Sequence, residues 1–97
     1  MIESQAALTL AAMAQETRLK VVRALVRAGQ DGMAAGELAE LTGVSASNLS
    51  FHLNTLEGAN LVTSRRQQRS IIYTCNFGTL GKLLEYLTED CCKGVGQ

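Results

Sequence analysis

Apolar residues recur at helical spacing over the first third of the chain. Residues 4–14 are rich in Ala and Leu and contain no Gly or Pro, which predicts a first helix. Residues 17–28 carry one apolar stripe at three- and four-residue spacing, which predicts a second helix. The members of that stripe are Leu19, Val22, Leu25 and Val26. Gly29 and Gly32 indicate the end of this helix and a turn.

Two more helices are predicted on either side of Gly43. A short third helix covers residues 35–41, and a fourth covers residues 46–58. The apolar face of the fourth helix consists of Leu49, Leu53 and Leu56. Ser45 is suited to cap this helix, because its hydroxyl oxygen can accept a hydrogen bond from a free backbone N–H of the first turn.

After Gly58 the apolar pattern changes from helical to strand-like. Residues 61–64 and 70–75 predict two strands, and residues 65–69 between them form the basic tip of a hairpin. A last helix is predicted over residues 78–92. Its apolar stripe consists of Leu80, Leu83, Leu84 and Leu87. The predicted fold is a single domain over residues 1–97, mainly α with a small β-hairpin, in the order α-α-α-α-β-β-α.

Two helices joined by a short turn and followed by a basic hairpin are typical of a winged helix-turn-helix that binds DNA. Short polar side chains on the fourth helix could approach base edges, and an Asn can pair with adenine through two hydrogen bonds. The candidate DNA-binding residues on this helix are Ser45, Ala46, Ser47, Asn48, Ser50, Phe51, His52 and Asn54. The hairpin adds Arg65, Arg66 and Arg69 for phosphates or the minor groove. A helical domain with a solvated polar face and an edge hairpin fits the same pattern.

The charge distribution supports a local rather than a global attraction to DNA. The formal net charge is zero, but residues 45–75 carry three arginines against one glutamate. His52 is the single histidine, and it could contact a phosphate or pack between helices with its ring N–H bonded to backbone. We predict the packing role for His52.

Several other classes of protein are disfavoured by the sequence. It has no apolar run of about 20 residues, so we expect no membrane span. It has no basic start followed by an apolar stretch and only three cysteines, so we expect a cytoplasmic protein with reduced thiols. We expect no enzymatic activity, because the chain has no Gly-rich phosphate loop and no Cys-His pairing motif. A module that binds only proteins remains an alternative.

Residues 36–56 resemble the helix-turn-helix of the ArsR/SmtB repressors, most specifically in the Ser-x-Ser-x-x-Ser-x-His-Leu run that begins at Ser45. Residues 16–19 resemble the opening of that family's second helix, and residues 65–69 followed by Tyr73 resemble its wing. The resemblance implies a homodimer that binds a palindromic double-stranded DNA operator and releases it on binding a metal or metalloid. The chain departs from the family pattern at Ala46, where many members carry Gln, and at Phe51, where a polar residue is common. Gln67 and Gln68 also replace the usual acidic-Gly wing tip.

Cys91 and Cys92 are candidate ligands for the effector. Vicinal thiolates suit thiophilic ions such as trivalent arsenic or antimony, whereas structural zinc usually takes four ligands. Adjacent cysteines could also be packing residues, or a disulfide switch in a redox-responsive repressor. A repressor without a metalloid effector is a further alternative.

The family resemblance favours an arsenical at these thiols. Residues 37–41 contain no cysteine, so the third-helix arsenic site of some ArsR/SmtB members is absent. Residues 86–92 instead resemble the end of the last helix in another arsenic-responsive group. We therefore expect a trivalent arsenical (arsenite, antimonite or a methylated arsenical) at Cys91 and Cys92, with Cys75 packed elsewhere. No third cysteine follows up to Gln97, so the site either takes a third ligand from beyond Gln97 or suits a methylated trivalent arsenical, which has one fewer exchangeable position.

The first and last helices are the expected dimer interface. The residues predicted to form it are Leu8, Leu10, Met13, Leu80, Leu83, Leu84 and Leu87. Such a dimer would place two recognition helices about 34 Å apart, which is one turn of DNA. Binding of the effector would reshape the last helix, change the angle between the recognition helices and weaken DNA binding.

Overall fold

The computed structural model describes residues 1–94, which form five α-helices and a small antiparallel sheet. The helices are α1 (Glu3–Met13), α2 (Glu16–Ala28), α3 (Ala35–Thr42), α4 (Ala46–Gly58) and α5 (Phe77–Thr88). The strands are β1 (Met33–Ala34), β2 (Val62–Gln67) and β3 (Ser70–Cys75). The predicted fold class and the predicted bounds of α4 are confirmed. Among residues 1–94, no helix combines the length and the apolar character that a membrane span requires.

The sheet has one strand more than the sequence predicted. Its order is β1-β3-β2, and Met33 of β1 pairs with Tyr73 of β3. The two residues of β1 are too few to show the alternation of apolar and polar positions by which a strand is predicted. Gly32 precedes β1 at a φ of 69°, and a Cβ there would lie 2.3 Å from the carbonyl oxygen of Tyr73. Only glycine permits this approach of the two strands.

The core lies between α2, α3, α4 and the base of the β2–β3 hairpin. Its fully buried residues include Leu25, Leu38, Leu53, Leu56 and Leu61. The apolar stripe predicted for α2 was partly wrong. Val21 and Ala24 are buried, whereas Leu19 and Val26 of the predicted stripe are exposed. The periodicity of α2 is compatible with two neighbouring stripes, and the contacts with α3 and β3 determine which one faces the core.

The helix α1 buries small side chains and exposes large ones. Ala6, Thr9 and Ala12 face the interior, whereas Leu8 is 70% exposed and Leu10 is also exposed. A globular helix usually buries its large apolar residues. The exposed leucines of α1 therefore remain available for a contact outside the protomer.

The predicted interface residues on α5 separate into two groups. Leu84 and Leu87 are exposed, as an interface requires. Leu83 is 1% exposed, so its prediction as a dimer contact is wrong, because the interior of the protomer already contains it. Leu80 and Met13 of α1 are partly buried against the protomer's own core, and their role in a dimer interface stays a prediction.

The last helix is shorter than predicted. It ends at Thr88, whose hydroxyl donates to the carbonyl oxygen of Leu84 at 2.9 Å. Glu89 and Asp90 follow, and acidic side chains are unfavourable next to the negative end of the helix dipole. Asp90 has a φ of 58° and leaves the helical conformation. Cys91 and Cys92 therefore lie in the turns after α5 rather than on it.

Candidate nucleic-acid interface

The turn between α3 and α4 is formed by two residues whose roles were predicted. Gly43 ends α3 in the left-handed conformation, with a φ of 74°. The Ser45 hydroxyl accepts a hydrogen bond from the backbone N–H of Asn48 at 3.2 Å and so caps α4. The Ser45 hydroxyl also lies 3.3 Å from that of Ser47. These bonds hold Ser45 at the first turn of the helix, where free N–H groups favour a phosphate.

The helix α4 is clearly two-sided. Its leucines Leu49, Leu53 and Leu56 are buried in the core. The opposite face is exposed to solvent and carries mostly short polar side chains. The exposed candidates are Ala46, Ser47, Asn48, Ser50, Phe51 and Asn54. Exposed polar side chains on a helix are suited to the major groove, which admits an α-helix.

His52 is held by an arginine of α2. The Nη1 atom of Arg18 lies 3.1 Å from Nδ1 of His52, and its Nε donates to the carbonyl oxygen of Ala12 at 2.5 Å. Because a guanidinium can only donate, Nδ1 of His52 accepts and Nε2 carries the ring proton. The contact with Arg18 supports a packing role for His52 between α2 and α4. The expected bond from the ring N–H to backbone concerns Nε2, the other nitrogen, and stays a prediction. Arg18 thereby connects the end of α1 to the middle of α4.

The wing, defined as β2, β3 and the turn between them, is arranged differently from the prediction. Gln67 pairs with Ser70, so the turn has only Gln68 and Arg69 at its tip. Gln68 has a φ of 58°, as a two-residue hairpin turn requires. Arg65 and Arg66, which were expected in the tip, belong to β2. The tip is shorter because the β2–β3 ladder extends through Gln67.

The side chain of Arg65 is hydrogen-bonded within the protein. Its guanidinium donates to the Thr74 hydroxyl at 3.0 Å and to the carbonyl oxygen of Asp31 at 3.0 Å. At the base of the wing, the Ser64 hydroxyl donates to a carboxylate oxygen of Glu57 at 3.1 Å. These bonds fix the wing against the turn before β1 and against the end of α4. Arg65 is therefore a residue that positions the wing.

Arg66 and Arg69 remain exposed on the wing. Together with the exposed face of α4 they form the candidate interface. The only acidic residue of α4, Glu57, lies in its last turn and is bonded to Ser64. The positive charges of the wing can therefore act on a phosphate backbone that passes the first turns of α4.

The three thiols have different environments. Cys75 is buried on β3, as predicted, and burial raises the pKa of its thiol. Cys91 and Cys92 are exposed, and their Sγ atoms lie 2.8 Å apart. The hydrogen bond with Cys92, and a smaller effect of desolvation, raise the pKa of Cys91. Within residues 1–94 no group of three or more His, Cys, Asp or Glu side chains is placed to hold a metal ion.

Comparisons with known proteins agree with this geometry. The family model described as "Helix-turn-helix domain" matches residues 13–65. The chain is 39% identical over 80 residues to the nodulation protein NolR of Rhizobium meliloti, covering 82% of this chain and 63% of NolR. It is 34% identical over 88 residues to the HTH-type transcriptional regulator YgaV of Escherichia coli (strain K12), covering 91% of this chain and 87% of YgaV.

Similarity to a solved structure identifies the family. The ArsR-like transcriptional regulator from Rhodococcus sp. RHA1 superposes with a TM-score of 0.78 at 29% identity, over 93% of this chain and 82% of that one. The chain belongs to the ArsR-like family of winged helix-turn-helix transcriptional regulators. The comparisons therefore confirm the family, while the arsenic-responsive type remains a prediction.

In this ArsR-like regulator, sequence reasoning missed Arg18 and Asp31. By its spacing Arg18 is simply a basic residue away from the apolar stripe of α2, and no spacing rule connects it to His52, 34 residues later. Asp31 contributes a backbone oxygen, which carries no sequence signal. Both contacts join segments that are distant along the chain, so only the folded structure brings them together.

Proposed function

We propose that this ArsR-like chain is a homodimeric DNA-binding transcriptional repressor. The observation that carries the proposal is the exposed polar face of α4, in a protein whose wing also exposes Arg66 and Arg69. Asn48 and Asn54 can pair with base edges in the major groove, while Arg66 and Arg69 bind phosphates. The chain is similar over most of its length to proteins named as transcriptional regulators, which supports a role in DNA binding.

The dimer is supported by the leucines that the protomer leaves uncovered. Leu8 is 70% exposed on α1 and Leu84 is 56% exposed on α5, and Leu10 and Leu87 are exposed on the same two helices. The two helices pack on each other, so their exposed apolar residues belong to neighbouring surfaces. Several exposed leucines on adjacent helices are typical of a protein–protein interface. A second copy of the chain would cover them and present two α4 helices to one duplex.

Binding to a selected duplex tests the DNA-binding proposal. A duplex is enriched by the protein from a random pool, and its affinity is then measured by fluorescence anisotropy at several salt concentrations. We expect specific binding that weakens as salt rises. Asn48→Ala should weaken binding to the selected duplex about tenfold or more and reduce discrimination against other sequences. Arg23→Ala, an exposed arginine of α2, is the matched control and should leave both unchanged.

The outcome that contradicts the proposal is equally specific. If no duplex is enriched, or if binding of the selected duplex is insensitive to salt, the chain is not a DNA-binding regulator of this kind. Equal losses for Asn48→Ala and Arg23→Ala would show that the exposed face of α4 is not the contact surface.

We further propose that a trivalent arsenical bound by Cys91 and Cys92 releases the DNA. Both thiols are exposed and their sulfur atoms are adjacent, so one arsenic atom can bond to both. With a methylated arsenical, two As–S bonds form, two As–OH bonds break, and two waters leave with the thiol protons. Two thiolates then satisfy the arsenic, which matches the absence of a third nearby ligand among residues 1–94.

The position of the thiols connects this site to the dimer. Cys91 follows α5 by three residues, and α5 carries the exposed Leu84 and Leu87. A covalent bridge between the thiols would fix the turns after α5 and change how this helix contacts the partner. A coupling of about 1–3 kcal/mol between the two sites would change DNA affinity about 5- to 150-fold.

Titration of the reduced protein with a monomethyl arsenical tests the effector. We expect the loss of two thiols per chain and release of the selected duplex. Cys91→Ser combined with Cys92→Ser should abolish both, whereas Cys75→Ala is the control that should keep both. Unchanged DNA affinity on addition of the arsenical would contradict the arsenical proposal. Release by peroxide that is reversed by a reductant, without a response to arsenic, would instead support a thiol-based redox regulator.

A further inference from the structure

Phe51 is the feature of the α4 surface that a solvated helix does not explain. Its side chain is 65% exposed, and it is the only aromatic residue among the exposed large hydrophobic residues of the part that the structure describes. Its neighbours on the surface of α4 are short and polar. It takes no part in the hydrophobic core. Contact with another molecule would remove this ring from water, which is favourable for an apolar side chain.

The ring lies in a row with two amide side chains. Asn48, Phe51 and Asn54 follow each other at intervals of three residues, which places them on one side of α4. All three are exposed. The side chain between the two asparagines is therefore apolar and planar, whereas its flanking side chains can donate and accept hydrogen bonds.

The ring is also supported from within the protein. Its centroid lies 5.6 Å from that of His52, with an angle of 66° between the rings, which is an edge-on contact. His52 in turn is held by Arg18, which is bonded to the carbonyl oxygen of Ala12. This chain of contacts restrains the ring of Phe51 before any ligand is bound.

We propose that Phe51 contacts the 5-methyl group of a thymine in each half of the bound DNA site. The inference rests on the proposed DNA binding and adds the chemistry that it selects. The thymine methyl is an apolar group in the major groove, and Phe is among the side chains that contact it. Asn48 and Asn54 on either side are suited to adenine, so the site is expected to contain A·T pairs near each Phe51. Phe51 is thus a specificity-determining residue.

Removal of single methyl groups tests this directly. The duplex enriched by the protein is prepared with deoxyuridine in place of individual thymidines, which deletes the methyl and keeps every hydrogen-bonding group. At one thymine in each half-site we expect affinity for the wild-type protein to fall about fourfold, the effect of one buried carbon. Phe51→Ala should bind the thymidine duplex more weakly and should no longer distinguish it from the deoxyuridine duplex. Phe51→Leu should retain part of the discrimination.

Leu19→Ala is the matched control, because it removes another exposed apolar side chain from a different helix. It should discriminate between the two duplexes like the wild type. The proposal is overturned if the wild type binds all deoxyuridine duplexes as tightly as the thymidine duplex. It is also overturned if Phe51→Ala remains as sensitive to the methyl as the wild type, or if the enriched half-site lacks thymine. Failure to enrich any duplex would overturn the DNA-binding proposal itself and this inference with it.

Discussion

At the scale of single residues, a comparison of Gly29 with Gly32 distinguishes two costs of replacing a glycine. One is the free-energy cost of an unfavourable backbone conformation, and the other is that of a steric clash. Both glycines have similar angles, with φ of 66° and 69° and ψ of −148° and −166°. A Cβ at Gly29 would meet nothing within 4 Å, whereas one at Gly32 would meet the carbonyl oxygen of Tyr73 at 2.3 Å. This part of conformational space is almost restricted to glycine and costs about 1–3 kcal/mol for other residues.

We therefore predict that Gly29→Ala lowers the free energy of unfolding by about 1–3 kcal/mol and that Gly32→Ala lowers it by more. Gly32→Ala should cost more because its added Cβ would force β1 away from β3. Urea denaturation of both variants, followed by circular dichroism, measures the difference. Equal losses would contradict the close approach of the two strands.

The thiol of Cys91 gives a prediction that depends on pH. Its pKa is raised, first by the hydrogen bond with Cys92 and then by desolvation, so the reactive thiolate is scarce at pH 8. In the effector-free protein, alkylation of Cys91 by iodoacetamide should accelerate only as the pH rises through this raised pKa. Cys92→Ala removes the hydrogen bond and should lower the midpoint of the rate profile, measured by mass spectrometry. A midpoint that stays in place would show that Cys92 does not influence Cys91.

At the scale of secondary-structure elements, the wing contains arginines with different roles. Arg65 is bonded to Thr74 and to the backbone of Asp31, while Arg66 is exposed on the same strand. We predict that Arg65→Ala lowers the free energy of unfolding by about 1 kcal/mol, because two hydrogen bonds are lost at an exposed site. Arg66→Ala should leave stability nearly unchanged and reduce the slope of log affinity against log salt by about one.

The two measurements belong together, since each variant is the control for the other. Urea denaturation gives the stability and the salt titration of DNA affinity gives the slope. If Arg65→Ala reduced the slope as Arg66→Ala does, with no loss of stability, Arg65 would be a phosphate contact rather than a residue that positions the wing.

The elements differ in how far the sequence predicted them. The helix α4 was predicted within its observed bounds because Ser45, Gly43 and its leucine spacing are local signals. The predicted end of α5 was wrong, because the apolar stripe does not indicate that the backbone leaves the helical conformation at Asp90. The strand β1 was missed, because its two residues are defined by pairing with β3 and by Gly32.

The candidate site was predicted to a similar extent. The exposed face of α4 followed from the position of its leucines, so Asn48, Phe51 and Asn54 were found. The bonds from Arg18 to His52 and from Arg65 to the carbonyl oxygen of Asp31 could not be predicted, because each joins segments 34 residues apart along the chain. Sequence patterns describe faces of elements, whereas these contacts depend on how the elements are packed.

At the scale of the whole molecule, the protomer is elongated and leaves several large apolar side chains exposed. Its radius of gyration is 14.9 Å. A compact chain of this length would have about 12.5 Å. The neighbouring Leu83 and Leu84 distinguish the interior from the proposed dimer surface, since they are 1% and 56% exposed.

We predict that Leu84→Lys yields a folded monomer, because a charge is placed in the interface while the core is untouched. Leu83→Ala should lower the free energy of unfolding by about 2–5 kcal/mol through loss of core packing. Sedimentation velocity and thermal unfolding of both variants make the comparison. A Leu84→Lys protein with an unchanged dimer would exclude this face of α5 from the interface.

If two copies of α4 contact one duplex, hydroxyl-radical footprinting on the enriched duplex should detect both. We predict two protected backbone regions on one side of the DNA, with centres about 10 base pairs apart, as two recognition helices in successive major grooves require. Leu84→Lys should weaken both regions together. A single protected region, or two regions that face opposite sides of the duplex, would show that the protein does not bind as this dimer.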